Sequence, residues 1–202
     1  MSRAVVLALL LILPMSSAWG EPPRLAPGQR VEGRFVQERY LKGFNSPLRS
    51  EGKFLLAPGK GLLWKSEKPF ATISIMTDQG IVQLIDGVEA SRLSAARAPF
   101  LTRFYEMLGG ALLGDLGALE RDFTVKREGG TDTWRLAVAP RAADGPIGRQ
   151  IESILISGTR FADAVEIVKT GGDRERLVFS EQRVMTGPLA AEDAALFAAG
   201  AK

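Results

Sequence analysis

The sequence predicts an α+β fold: a strongly curved antiparallel sheet of about ten or eleven strands wrapped over helices. Two observations carry this expectation. Short apolar segments joined by tight turns recur along most of the chain, and successive short connections make antiparallel neighbours. Between them lies one long block, Pro99 to Leu119, whose apolar residues recur at helical spacing instead. A sheet this wide encloses more volume than one broken helix can fill, so an apolar cavity is expected inside it.

The elements follow in chain order. Residues 1–20 hold a short n-region with Arg3, an apolar stretch from Ala4 to Leu13, a break at Pro14, and small residues at Ser16, Ser17, Ala18 and Gly20. This is the pattern of a secretory signal, with cleavage expected after Gly20 or after Ala18. Its apolar stretch is about ten residues, against the ~20 that a spanning helix needs. The remainder, 21–202, is expected to be one domain. It opens with an irregular arm, Glu21 to Gly28, that contains three prolines. Strands are expected at Val31–Leu41, Ser50–Ala57, Leu62–Lys65, Thr72–Thr77 and Ile81–Ile85. Pro58-Gly59-Lys60-Gly61 and Asp78-Gln79-Gly80 supply hairpin loops between them. In the helical block, Pro99 is placed to open a helix, while Gly109, Gly110 and Gly114 predict a break.

Strands resume at Asp122–Lys126, Thr133–Ala139, Ile151–Ser157, Ala164–Lys169 and Arg176–Val184. Trp134, Leu136 and Val138 alternate with Arg135, Ala137 and Ala139, as one buried face requires. Asp173-Arg174-Glu175-Arg176 reads as a solvated hairpin tip. Pro188, an Ala-rich stretch with Glu192 and Asp193 in the first turns, and Gly200 at the end read as a short terminal helix.

Composition excludes more chemistry than any motif adds. The chain has no histidine and no cysteine. Ser-His-Asp and Cys-His machinery, zinc sites of His or Cys type and disulfides are therefore ruled out. The missing cysteine also removes the lipid-modified N-terminus of a lipoprotein, so an exported, periplasmic protein is expected. With 26 basic against 23 acidic residues, the net charge of +3 is not a nucleic-acid signature. Ser50-x-x-Lys53 has the spacing of a Ser/Lys nucleophile pair, but residues three apart on a strand point to opposite faces. Glu38, Glu51 and Glu181 have no local mark of an acid/base pair, and Gly110-x-x-x-Gly114 sits among Arg103, Glu106 and Asp115. No catalytic residue, no cofactor and no metal site is expected.

One run carries a resemblance. Within Gly33 to Phe70 stand Phe35 with Gln37, Ser50 with Gly52, Leu62-Leu63-Trp64 and Pro69. Their order resembles the opening of the LolA-like outer-membrane lipoprotein carrier family. Ile154-Leu155-Ile156, Val165-Glu166-Ile167, Gly171-Gly172-Asp173 and Leu177-Val178-Phe179 look like that family's closing strand, strand, turn and strand. Three departures mark a divergent branch. The Pro-rich Glu21 to Gln29 replaces an amphipathic helix, Ala57 stands where main-branch carriers have an arginine before the proline, and the chain stops soon after Leu196-Phe197.

The resemblance implies an incomplete β-barrel with a helical lid, in a periplasmic, non-enzymatic monomer without cofactor. Such a carrier shields the acyl chains of a lipoprotein or other lipid, taken from an inner-membrane donor complex and passed to an outer-membrane acceptor. It also implies a lid formed by Phe100, Phe104, Leu108 and Leu112. The cavity wall is then expected from Phe35, Phe54, Leu56, Ile73, Ile75, Ile154, Ile156, Val165, Ile167, Leu177 and Phe179. Periodicity leaves open which face of each strand looks inward, and an alternating Ile or Val is more often ordinary core than ligand contact. A lipid-sensing or protein-interaction domain on the same fold is the alternative; it predicts a filled interior with an exposed apolar patch.

Overall fold

A computed structural model describes residues 25–26, 28–97, 116–120, 123–130 and 133–201. The signal segment 1–20 and the expected lid residues Phe100, Phe104, Leu108 and Leu112 lie outside the described residues. Six strands come first: β1 (Gln29–Tyr40), β2 (Leu48–Ala57), β3 (Gly61–Lys68), β4 (Thr72–Thr77), β5 (Gly80–Ile85) and β6 (Val88–Ser94). After the short helix α1 (Leu116–Glu120) come β7 (Phe123–Gly129), β8 (Trp134–Pro140), β9 (Ile151–Gly158), β10 (Ala162–Lys169) and β11 (Arg174–Thr186). Helix α2 (Ala191–Gly200) follows.

The eleven strands form one antiparallel sheet in the order β6-β5-β4-β3-β2-β1-β11-β10-β9-β8-β7. Every neighbour pair but one is a sequential hairpin. The exception, β1 with β11, joins the two meanders at the middle of the sheet. The sheet stays open, with β6 and β7 as its edges, so it is not a closed barrel. It is nevertheless strongly curved. Gln83 on β5 and Ile151 on β9 border the same cavity although seven strands apart in sheet order. In a flat sheet that separation would be roughly 34 Å, at ~4.8 Å per strand.

The ten expected strands are all present, and β6 is the one that the sequence reading missed. Its segment VEASRLS is exposed at all but one position, so it lacks an apolar alternation. The signal was in the turn instead. Asp86 (φ 51°) and Gly87 (φ 78°) both occupy the left-handed region, the geometry of a two-residue hairpin turn for which Asp-Gly is suited. A second local device is a β-bulge on β11, where Gly33 faces two residues between the pairs Glu32–Arg183 and Arg34–Ser180. Glu181, with φ 53°, takes the left-handed conformation there.

Burial divides the sheet into two faces. The inner face carries the main core, from Val31, Phe35, Phe54 and Leu56 through Leu136, Val138, Ile154 and Ile156 to Leu177 and Phe179, with Leu119 of α1 and Phe123 packed into it. The outer face is apolar only over β2 to β5, where Leu55, Leu63, Ile75 and Val82 pack against Phe197 of α2. α2 is held there by charge as well. Lys65 Nζ donates to Asp193 Oδ1 at 2.8 Å and Glu192 Oε1 at 3.0 Å. Burial lowers the Lys65 pKa, but those two partners outweigh it and hold the ammonium above its ordinary value. At the other end of α2, Thr77 Oγ1 donates to the Gly200 carbonyl at 3.1 Å.

Candidate functional site: a half-open cavity on the inner face

The inner face is not uniformly filled. A half-open cavity of about 590 Å³ lies towards one end of the strands, bordered by β1 to β5 and β9 to β11. Its mouth is at the end that carries the β1–β2, β3–β4 and β10–β11 connections, as the pairs Tyr40–Arg174 and Glu51–Lys68 establish. Beneath it, the Phe35 and Trp64 rings stack with centroids 3.7 Å apart. Phe179 meets Phe54 edge-on at 5.4 Å and Trp64 at 6.1 Å. These four rings plug the space between the cavity and the solid aliphatic core beyond, each pair adding attraction beyond its buried area.

The residues of the Phe35 to Trp64 motif explain one another here. Phe35 and Gln37 share a strand face, two residues apart, so one supplies the plug and the other the cavity lining. Ser50 Oγ donates to Gln37 Oε1 at 3.2 Å, and Gln37 Nε2 donates to Glu175 Oε1. Gly52 lies opposite Phe35 on β2. A Cβ there would collide with the Lys65 carbonyl oxygen, so only glycine lets β2 and β3 approach at the bulge between Glu51 and Gly52.

Glu175 is the residue that sequence reasoning placed wrongly. It is not part of a solvated tip: the turn lies at 170–173, and Glu175 is inside β11, only 8% exposed. Alternation from Phe179 and Leu177 puts it on the inner face, a signal available in the sequence. Its Oε2 faces Lys169 Nζ at 3.3 Å and Arg39 Nε at 3.8 Å. With Gln37 on the other oxygen, the buried carboxylate is partnered on both sides, as burial of a charge requires.

Of the expected wall residues, Ile167 and Leu177 border the cavity. Phe35, Phe54, Leu56, Ile154, Ile156, Val165 and Phe179 are buried on the same face, in the plug and the filled core. Ile73 and Ile75 correct the expectation about faces: they lie on the outer face, packed in the cluster beneath α2. On β4 it is Thr72, Ser74 and Met76 that look into the cavity. The run TISIMT does alternate, but Thr72 and Ser74 turn to the cavity and Ile73 and Ile75 to α2, so here the apolar side is the outer one. The sequence reading also missed Arg39, Leu48, Met76, Phe70, Ile151 and Lys169 as cavity residues. Leu48 and Phe70 stand at the mouth, 56% and 76% exposed.

The polar pairs considered for catalysis do not converge. Ser50 lines the cavity, whereas Lys53 points outward to Glu67 at 2.9 Å. Glu51 is held below the usual carboxylate range by its hydrogen bond from Lys68, and Glu67 by hydrogen bonds from Lys53 and Arg34. Glu38 accepts a hydrogen bond from Tyr40. Among the described residues no group of three His, Cys, Asp or Glu side chains is placed to hold a metal ion. Among them, too, no helix is long and apolar enough to cross a membrane.

Three solved structures are similar to the chain at low identity. A LolA superfamily protein from Nitrosomonas europaea is 9% identical with a TM-score of 0.38, covering 84% of this chain and 90% of its own. A putative outer membrane lipoprotein-sorting protein domain from Vibrio parahaemolyticus is 14% identical with a TM-score of 0.40, covering 84% and 92%. A DUF1329 family protein from Desulfovibrio piger is 12% identical with a TM-score of 0.41, covering 84% and 92%. No curated protein matches the sequence. The family profile described as "Outer membrane lipoprotein carrier protein LolA-like" matches residues 23–199, nearly the whole length of the sheet and its terminal helix. The chain belongs to that LolA-like family.

Proposed function

We propose that this protein is a periplasmic carrier that holds an acyl chain of a lipoprotein or other lipid in the inner-face cavity during transport toward the outer membrane. The observation that supports it is the cavity itself, open at one end of the curved sheet and stopped at the other by the Phe35–Trp64 stack. Each buried CH₂ contributes roughly 0.8 kcal/mol, so a long chain seated there gains on the order of several kcal/mol over water. A cavity half open to solvent binds less tightly than a closed one, which suits a ligand that must be released. The carrier acts as a monomer, taking cargo from an inner-membrane donor and yielding it to an outer-membrane acceptor, and it performs no covalent chemistry.

The experiment is native mass spectrometry of protein purified gently from periplasm, followed by lipid analysis of what dissociates. A mass increment that resolves into an acylated molecule is the expected result. Ser74→Phe, which fills the cavity from β4, is expected to abolish uptake of an acylated fluorophore. Recovery of empty protein that takes up no acylated ligand overturns the proposal.

A second reading has its own support. Five large apolar residues, Phe44, Leu48, Phe70, Ile85 and Val88, are 46 to 76% exposed and gather at the rim around the mouth. A lipid-sensing or protein-interaction domain would use such a rim as its contact surface. Replacing Phe44 and Val88, which do not line the cavity, with serine separates the two. A carrier keeps its affinity for a soluble acylated ligand, whereas a sensor that grips an exposed lipid at the rim loses it.

A further inference from the structure

The charged residues that border the cavity are unbalanced. Arg39, Arg49 and Lys169 are cations, and Glu175 is the one anion among them. Arg49 pairs at 2.8 Å with Glu51, a carboxylate outside the lining that Lys68 also engages at 2.9 Å. Glu175 is shared between two cations, and its 3.8 Å separation from Arg39 Nε is beyond hydrogen-bond length. The Arg39 guanidinium, 55% exposed, therefore retains its donors.

The charged lining residues are confined to the mouth, beside Leu48 and Phe70, while the lining further in is uncharged. Arg39, Arg49 and Lys169 stand at the ends of β1, β2 and β10 next to the mouth. Trp64, Met76, Ile167 and Leu177 lie further in, toward the aromatic plug. A ligand that satisfies both zones has an anionic head and a hydrocarbon tail. The volume of about 590 Å³ is that of a pocket for one small molecule, within the ~300–1,000 Å³ such sites span.

On the carrier reading above, we infer that the cavity selects a single-chain amphiphile with an anionic head, its oxygens at Arg39 and Lys169 and its tail directed down toward Trp64. Glu175 acts as the resident counter-ion. It holds the two cations at the mouth when no ligand is bound and weakens the site for anions through like charge.

The test is titration calorimetry of the purified mature protein with palmitoyl lysophosphatidylglycerol, the uncharged monopalmitoylglycerol and glycerol 3-phosphate, each below any micelle-forming concentration. The anionic lipid is expected to bind about tenfold more tightly than the uncharged one, the scale of one charge-assisted contact. The chainless phosphate is expected not to bind. Arg39→Gln with Lys169→Gln should remove the preference by lowering the anionic lipid's affinity to that of the uncharged one. Arg39→Gln alone, at a half-exposed position, serves if the double variant does not fold. Glu175→Gln should raise affinity for the anionic lipid severalfold, a gain that loss of a merely structural ion pair does not produce. Equal affinity for both lipids, or a preference that survives Arg39→Gln, overturns the head-group site and leaves the carrier reading standing. Glycerol 3-phosphate binding as tightly as the lipid shows a free-anion site and overturns it too. Failure of both lipids to bind overturns the carrier reading with it.

Discussion

The filled and the open part of the inner face belong to one curved sheet but do opposite things. At the filled end, Leu136 and Val138 on β8, Ile154 and Ile156 on β9, and Leu119 from α1 are all at most 2% exposed. At the open end the same face turns to Gln37, Ser50, Ser74 and Gln83, and the side chains no longer meet across the curve. Small polar residues on β4 and β5 leave the space; large aliphatics on β8 and β9 remove it. The four aromatic rings mark the boundary. A curved sheet by itself therefore does not specify a cavity, since the residue sizes along each inward row decide where one forms.

This contrast sets what each end should tolerate. The largest effect is expected at the filled end: Ile154→Ala should destabilise the fold by about 2–5 kcal/mol, through lost burial and the void left behind. Urea unfolding measures that cost, and affinity for an acylated ligand should hardly change. Gln37→Leu at the boundary is expected to cost about 1–3 kcal/mol because it leaves Glu175 Oε1 without its donor in a buried position. Its thermal unfolding and its ligand affinity should both move, in contrast to Ile154→Ala. At the open end, Ser74→Phe should leave stability within about 1 kcal/mol, since the added ring enters vacant space rather than packed atoms. A loss of stability as large as that of Ile154→Ala would show that the cavity is already occupied by protein.

The smallest effect belongs to the outer face, which acts as a control. The Lys65 pKa is raised in the folded state, so the contribution of its pairing with Asp193 and Glu192 is fully present below the unfolded value of about 10.4. It is lost as pH rises through the higher folded value. Lys65→Met should therefore cost about 1 kcal/mol or less at neutral pH, and the gap from the parent protein should close in strongly alkaline solution. Thermal unfolding at neutral and alkaline pH measures it, with no expected change in ligand affinity.

How far the sequence could be read depends on what covers each strand. In β8, Trp134, Leu136 and Val138 are buried while Arg135 and Ala139 are exposed, so the alternation named the inner face correctly. In β4 the outer Ile75 is as buried as Met76 on the inner face, because α2 covers it. Alternation alone does not show which of the two looks inward. The family motif pointed to the right patch, Phe35, Gln37, Ser50, Gly52 and Trp64, but not to what its members do together. Gln37 finds its partner Glu175 across 138 positions of chain, and that pairing exists only once β1 and β11 lie side by side.

By itself, the sequence determined ten of the eleven described strands, their antiparallel hairpins, the terminal helix and the absence of histidine and cysteine chemistry. These are local properties, set by side-chain period, turn residues and composition. Only the tertiary structure decided that the sheet stays open between β6 and β7, that Ile73 and Ile75 belong under α2, and that the cavity's mouth carries Arg39, Lys169 and Glu175. Each of these depends on which distant strands become neighbours, and curvature brings those strands together only when the whole sheet has formed.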